Sequence, residues 1–244
     1  MLTTTISSLV SAKDSQLCIG IDPPTNVPIE ERVEFALEII DETWDLAVAF
    51  KLNRQFFLGT SIEEMRRITD RIHRHPTLAI MDHKLSDIGS SNQAALHWIS
   101  EEHFDMVTIS PFPGNTEVTS AYAKSMGLET ILLTLMSNAE AFYMVQGSPA
   151  PFEQWAKEAQ KFCSGMVVGS TGHIQKNHLL TIKNIAPDPF VLAPGLGKQG
   201  GSVNNLKEVF GEKVIFSVSR AIMEAKDRRE RAEYYRELSL TNNI

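Results

Sequence analysis

The sequence predicts a (β/α)8 barrel, and three observations carry that prediction. Eight short apolar runs recur at fairly even spacing along 244 residues. They are near-continuously apolar rather than alternating, as parallel strands are when helices cover their outer face. The residues most suggestive of chemistry fall just after those runs, where a barrel would gather them at one mouth. A doubly wound sheet is the structural alternative, but it usually has a less regular count.

Taken in order, residues 17–21 form the first run, and Asp22 follows it. The second, 46–52, carries Lys51 near its end, and the third, 78–81, leads into Asp82. The fourth is 106–109, and the fifth, 131–135, is followed by Ser137. The sixth, 166–168, precedes Thr171, and the seventh, 190–193, opens onto a glycine-rich loop at 194–201. The eighth, 214–218, leads to Arg220. Between the runs, Val33, Ala36, Leu37 and Ile40 keep helical spacing, as do Ile62, Met65, Ile68 and Ile72. No linker-like or low-complexity break interrupts the alternation, so one barrel domain over residues 1–244 is expected.

Composition narrows the class. Hydrophobic residues at 43% and charged residues at 22% are those of an ordinary soluble globular protein. A net charge of −7 argues against a general nucleic-acid or anionic-membrane binder, while leaving room for a local cationic pocket. Two cysteines, Cys18 and Cys163, suggest a reducing compartment rather than a disulfide framework. The N-terminus has neither a basic leader nor an apolar core of a signal peptide, and no apolar run approaches the ~18 residues of a spanning helix. A cytoplasmic location is expected.

The segment Asp82-His83-Lys84-Leu85-Ser86-Asp87-Ile88 stands out. Strand alternation puts Asp82 and Lys84 on one face, and Asp87 follows beyond the strand. Two carboxylates around one ammonium are costly to bury unless they pair or meet a charged ligand. A structural ion-pair network fits the same spacing. Lys51 ends an apolar run, as a lysine snorkelling to solvent or one emerging into a site would, and Asn53 shares its face. In Pro194-Gly195-Leu196-Gly197-Lys198-Gln199-Gly200-Gly201, the glycines would let backbone N–H groups approach a phosphate, although a flexible turn explains them equally. The arginine of Ser219-Arg220 could bind phosphate in paired fashion, and loops after the seventh and eighth strands often make a barrel's phosphate site. His73 and His75 read as surface residues, while His173 and His178 lack a zinc-ligand spacing. Neither a metal nor an organic cofactor is expected.

The pattern Asp82-x-Lys84-x-x-Asp87-Ile88-Gly89, with Lys51 one strand earlier and Pro194-Gly195-x-Gly197-x-Gln199-Gly200-Gly201 plus Arg220 later, resembles the orotidine 5′-phosphate decarboxylase family. The resemblance runs in matching order from Asp22 to Arg220. It implies cofactor-independent decarboxylation of orotidine monophosphate to UMP, the last step of de novo pyrimidine synthesis, by a homodimer. It also implies that Lys51, Asp82, Lys84 and Asp87 form an alternating charge array, with Asp87 and Ile88 supplied by the partner subunit. Asp22 and Asn53 would lie near the ribose, and Ser137 would contact the pyrimidine. Gln199 and Arg220 would hold the phosphate beneath a mobile loop beginning at Pro194, with Ser91, Gly200 and Ser219 completing the binding set. Two positions depart from the family pattern: Ser91 stands where threonine is usual, and Ser110 replaces a histidine often seen after the fourth strand. A related sugar-phosphate enzyme, often magnesium-dependent, and a non-catalytic nucleotide-binding barrel remain the competing readings.

Overall fold

The computed structural model describes residues 2–169, 171–195 and 203–240. Eight parallel strands close into a barrel in chain order: β1 (Leu17–Ile21), β2 (Ala49–Asn53), β3 (Leu78–Leu85), β4 (Met106–Ile109), β5 (Glu129–Leu135), β6 (Gly165–Val168), β7 (Phe190–Pro194) and β8 (Val214–Val218). Closure is made by β8 pairing back onto β1, with Cys18 opposite Ser217. The expected barrel is therefore borne out.

The described α-helices are α1 (Leu2–Lys13), α2 (Arg32–Thr43), α3 (Ile62–His73), α4 (Gly89–Glu101), α5 (Thr116–Ser125), α6 (Pro151–Phe162), α7 (Lys176–Ile185), α8 (Val203–Phe210), α9 (Arg220–Met223) and α10 (Arg228–Leu240). The apolar stripe of α2 buries Val33, Ala36, Leu37 and Ile40. Helix α3 buries Met65, Ile68 and Ile72, leaves Ile62 half-buried, and starts at a capping box in which Ser61 and Glu64 satisfy each other's backbone N–H groups.

Two of the expected strand limits move. Residues 46–48 are buried but lie outside β2, because the ladder with β1 and β3 begins in earnest at Ala49. β3 continues to Leu85, four residues past the end of its apolar run, so Asp82 and Lys84 lie within the strand. Asp82 is held in register by Asn53 of β2, and the Lys84 backbone N–H is held by the hydroxyl of Thr108 on β4.

Alternation along the strands divides the core. Ile19, Phe50, Met81, Val107, Phe216 and their neighbours point outward against the helices. Cys18, Ala49, Ile80, Met106, Ile131, Phe190 and Ile215 point inward and fill the barrel's lower half, where Ile6 and Val10 of α1 plug the end. At that end Lys13 donates to the carbonyls of Trp44 and Ala47 and to the hydroxyl of Thr77. His75, expected as a surface residue, is half-buried, because its ring stacks on Trp44 at 3.9 Å and is covered by it. Helix α10 packs here too, burying Ala232 and Tyr235, with Ser239 accepting a bond from the backbone N–H of Gln16. Among the described residues no helix is long and apolar enough to cross a membrane.

Candidate active site

The inward positions change character one layer higher. Lys51 from β2, Asp82 from β3, Thr108 from β4 and Ser217 from β8 form one side of a cavity of about 310 Å³. Leu133, Val167 and Leu192, from β5, β6 and β7, form the other. The cavity thus offers a charged wall facing an apolar one at the carboxyl ends of the strands. That is the face at which barrels of this architecture place their chemistry.

The charged wall is built around Asp82. Its Oδ2 accepts from Lys51 Nζ at 2.9 Å, and its Oδ1 accepts from Lys84 Nζ at 2.8 Å and from Thr108 Oγ1 at 2.9 Å. Burial by itself would push the Asp82 carboxyl up, but the Lys51 and Lys84 charges and their hydrogen bonds outweigh it and hold it well below the usual carboxylate range. Burial would likewise lower the Lys51 ammonium. Attraction to Asp82, and then to Asp22, reverses the sign and holds it above its ordinary value. Both side chains are therefore ionised near neutral pH, with only 8% of each residue exposed. The Lys84 side chain is 41% exposed and faces the cavity.

The local backbone explains that placement. β3 and β4 pair at Met81 with Val107 and next at Leu85 with Ile109, so β3 carries two extra residues as a bulge. Lys84 sits inside it at φ +54, a left-handed conformation unusual for a residue other than glycine.

The rim comes from the loops after β1, β5, β7 and β8. Asp22 accepts a 2.6 Å bond from Ser219 Oγ through Oδ2, while its Oδ1 is buried without a hydrogen-bond partner among the described residues. Gly20 makes that contact possible, since a Cβ there would lie 2.9 Å from the Ser219 Cβ. Gly169 plays the same part for Ser137, whose Cβ would be 2.5 Å away. Ser137, Pro194, Ser219 and Arg220 all line the cavity, and Arg220 is exposed at its edge.

The remaining expected residues divide. Asn53 stands beside Asp82 in the ladder, but its side chain caps the next turn by accepting from Gln55 N, and it is not among the cavity's lining. Gln199 and Gly200 lie outside the described residues. Asp87, Ile88 and Ser91 are exposed and do not line this chain's cavity. The picture of two carboxylates around one ammonium is corrected within the single chain: one carboxylate stands between two ammoniums. After the bulge the chain turns away, and Asn92 and Asn115 hold the Asp87 carbonyl at 2.6 and 3.0 Å. Among the described residues Asp87 makes no ion pair.

Sequence reading missed Thr108, Ser217 and the apolar wall. Thr108 and Ser217 were detectable as hydroxyls interrupting otherwise apolar runs. Leu133, Val167 and Leu192 carried no signal, because in sequence they look like any other core residue.

A family model described as orotidine 5′-phosphate decarboxylase / HUMPS family matches residues 15–235. The chain belongs to this family. It is 30% identical to the orotidine 5′-phosphate decarboxylase of Cupriavidus metallidurans over 98% of this chain and 94% of that protein. The protein of the same name from Flavobacterium johnsoniae is also 30% identical, over 98% and 95% of the two chains. In fold the chain resembles the Leishmania donovani OMP decarboxylase, with a TM-score of 0.81 at 21% identity over 96% of this chain and 97% of that one. The orotidine 5′-monophosphate decarboxylase of Methanocaldococcus jannaschii gives 0.76 at 24% identity, over 92% and 98%. At these identities the solved structures support the barrel. Membership of the orotidine 5′-phosphate decarboxylase family rests on the family model and the curated relatives, and it agrees with the motif resemblance.

Proposed function

We propose that this protein decarboxylates orotidine 5′-monophosphate to UMP without a cofactor. The observation that carries the reading is the ionised Asp82 carboxylate held between Lys51 and Lys84 at the cavity's charged wall. In the reaction the bond from C6 to the substrate carboxylate breaks, CO2 leaves, and the electron pair remains on C6. The pyrimidine cannot easily delocalise that pair, so a cation already in place is the natural means of stabilising it. We assign this role to Lys84, whose ammonium stabilises C6 and then transfers a proton to it, giving UMP. Solvent returns the proton to Lys84, so the net change consumes one H⁺. Asp82 lies near the departing carboxylate and aims Lys84, while Lys51 keeps Asp82 ionised.

Arg220 at the rim serves the remote phosphate, together with Gln199 and Gly200, and Ser219 and Pro194 border that end. Binding energy from this unreactive group can be used to close the site and exclude water. Asp22 and Asn53 serve the ribose, and the buried free oxygen of Asp22 is an acceptor awaiting a hydroxyl. Ser137 serves the pyrimidine.

The working form is a homodimer in which Asp87 and Ile88, with Ser91 behind them, complete the neighbour's charge array. Two features support this. Asn92 and Asn115 fix the Asp87 backbone while its side chain is left exposed. Ile88 is 64% exposed and Phe112, on the adjoining loop, 88%. Large apolar side chains left exposed next to a fixed carboxylate are what an interaction surface presents. The whole chain acts as one barrel domain in the cytoplasm.

Purified protein incubated with orotidine monophosphate and a chelator tests the activity. Rapid loss of orotate absorbance with stoichiometric UMP is the expected result. Turnover that requires added magnesium, acting on a sugar phosphate instead, would replace this reading with that of a related superfamily enzyme.

A further inference from the structure

We propose that Thr108 is a positioning residue: one hydroxyl sets the geometry of the Asp82 and Lys84 pair. Its oxygen accepts the backbone N–H of Lys84 at 2.9 Å, and its proton is donated to Asp82 Oδ1 at 2.9 Å. Thr108 is 1% exposed, so water cannot take over either bond.

The bulge is what makes this hydroxyl necessary. Between the Met81 and Leu85 pairings, β3 carries two residues for which β4 has no counterpart. The N–H of Lys84 bonds to a side chain of β4 rather than to a backbone carbonyl. A residue other than glycine at φ +54 is strained and persists only where its surroundings dictate it. Past the bulge the chain is caught again by Ser110 N donating to the Leu85 carbonyl at 2.8 Å. Thr108 is thus the clamp between the two ends of the irregular segment.

The same hydroxyl completes the shell around Asp82. Oδ1 takes Lys84 Nζ and Thr108, and Oδ2 takes Lys51, so the carboxylate cannot rotate without breaking a bond. Because the hydroxyl proton is committed to Asp82, Thr108 has none to offer a substrate. Its effect on catalysis runs through Lys84, which makes it a positioning residue.

The inference rests on the decarboxylase reading, and the experiment keeps the two apart. Thr108→Val removes the hydroxyl at nearly constant volume, while Thr108→Ser keeps it. We expect kcat for orotidine monophosphate to fall by about 10²-fold in Thr108→Val, the scale of a misplaced reacting group. UMP affinity, measured calorimetrically, should stay within about threefold, and Thr108→Ser should recover most of kcat. Wild-type turnover tests the activity alone. A crystal structure of Thr108→Val tests the clamp even if no turnover is found, because Lys84 is expected to leave φ near +54 and its bond to Asp82. Wild-type-like kcat in Thr108→Val, failure of Thr108→Ser to recover it, or an unmoved Lys84 in that crystal structure would each overturn the assignment.

Discussion

Two lysines at opposite ends of the barrel, one half-buried and one buried, show how the same cation is put to different uses. Among the described residues Lys13, below, hydrogen-bonds neutral groups: two carbonyls and a hydroxyl. Burial dominates there and pulls its pKa down to about 8, against a weaker pull upward from Asp45. Burial is also the largest influence on Lys51, above, yet Asp82 and Asp22 reverse it and raise the pKa. Neutral acceptors tie a helix to the closed end of the barrel. A carboxylate partner instead keeps an ion ready in a low-dielectric cavity, where electrostatic interactions are strongest. The lower end supports the fold, and the upper end is arranged for chemistry.

The largest test of that contrast is Lys84→Ala. Loss of the cation and proton donor should lower kcat on the order of 10⁴-fold, combining electrostatic and acid-catalysis contributions. Circular dichroism and Tm should remain near wild type, because the side chain is partly exposed. Appreciable residual turnover would remove its assigned role.

Asp82→Asn should turn Lys51 into a second Lys13. A buried ammonium left without its counter-charge costs about 3 kcal/mol, measurable by urea unfolding at pH 7. The pH dependence carries the sign. In the wild type Lys51 is raised, so its stabilisation is present below the unfolded value of 10.5 and is lost as pH rises through the folded pKa. In the variant the largest opposition to burial is gone and only the weaker attraction to Asp22 remains, so the deficit relative to wild type should shrink as pH is raised toward 9.5. A deficit independent of pH would show that Lys51 is not the group responsible.

Arg220→Ala is expected to cost about 10²-fold in kcat/KM, the worth of charge-assisted bonds to phosphate. Turnover should fall along with affinity, since phosphate binding drives closure. A change confined to KM would sink that coupling.

The smallest effect belongs to Lys13→Met. Between pH 8 and 10.5 the folded wild type holds fewer protons at Lys13 than the unfolded chain, so this group makes stability rise with pH. The variant should lose that rise in a series of Tm measurements and keep kcat within about twofold. A substantial loss of activity would mean that the two ends of the barrel are coupled.

Most of the fold was legible because periodicity is local. Eight apolar runs with amphipathic stretches between them have few ways to bury both faces of every strand. The strand ends were less legible. Asp82 and Lys84 look like residues beyond a strand, yet β3 carries them to Leu85 because Thr108, distant in sequence, stands in for a missing ladder partner. The site was legible in its charges and illegible in its apolar wall. Lys51, Asp82, Lys84 and Arg220 stand out against their surroundings, whereas Leu133, Val167 and Leu192 do not.

By itself, the sequence determined the barrel, the family and the identity of the charged groups. All three depend on residue type and on spacing along the chain, which folding leaves unchanged. Tertiary structure decided which carboxylate sits between the lysines. Asp82 and Asp87 both flank Lys84 in sequence, but the β2–β3 register turns one inward, and Asn92 and Asn115 hold the backbone of the other at the surface. It also decided the protonation behaviour of the lysines, because a pKa depends on what is brought near in space. Lys13 and Lys51 have the same side chain, and burial is the largest influence on both. The sign of the outcome is set by what the folded chain places beside each.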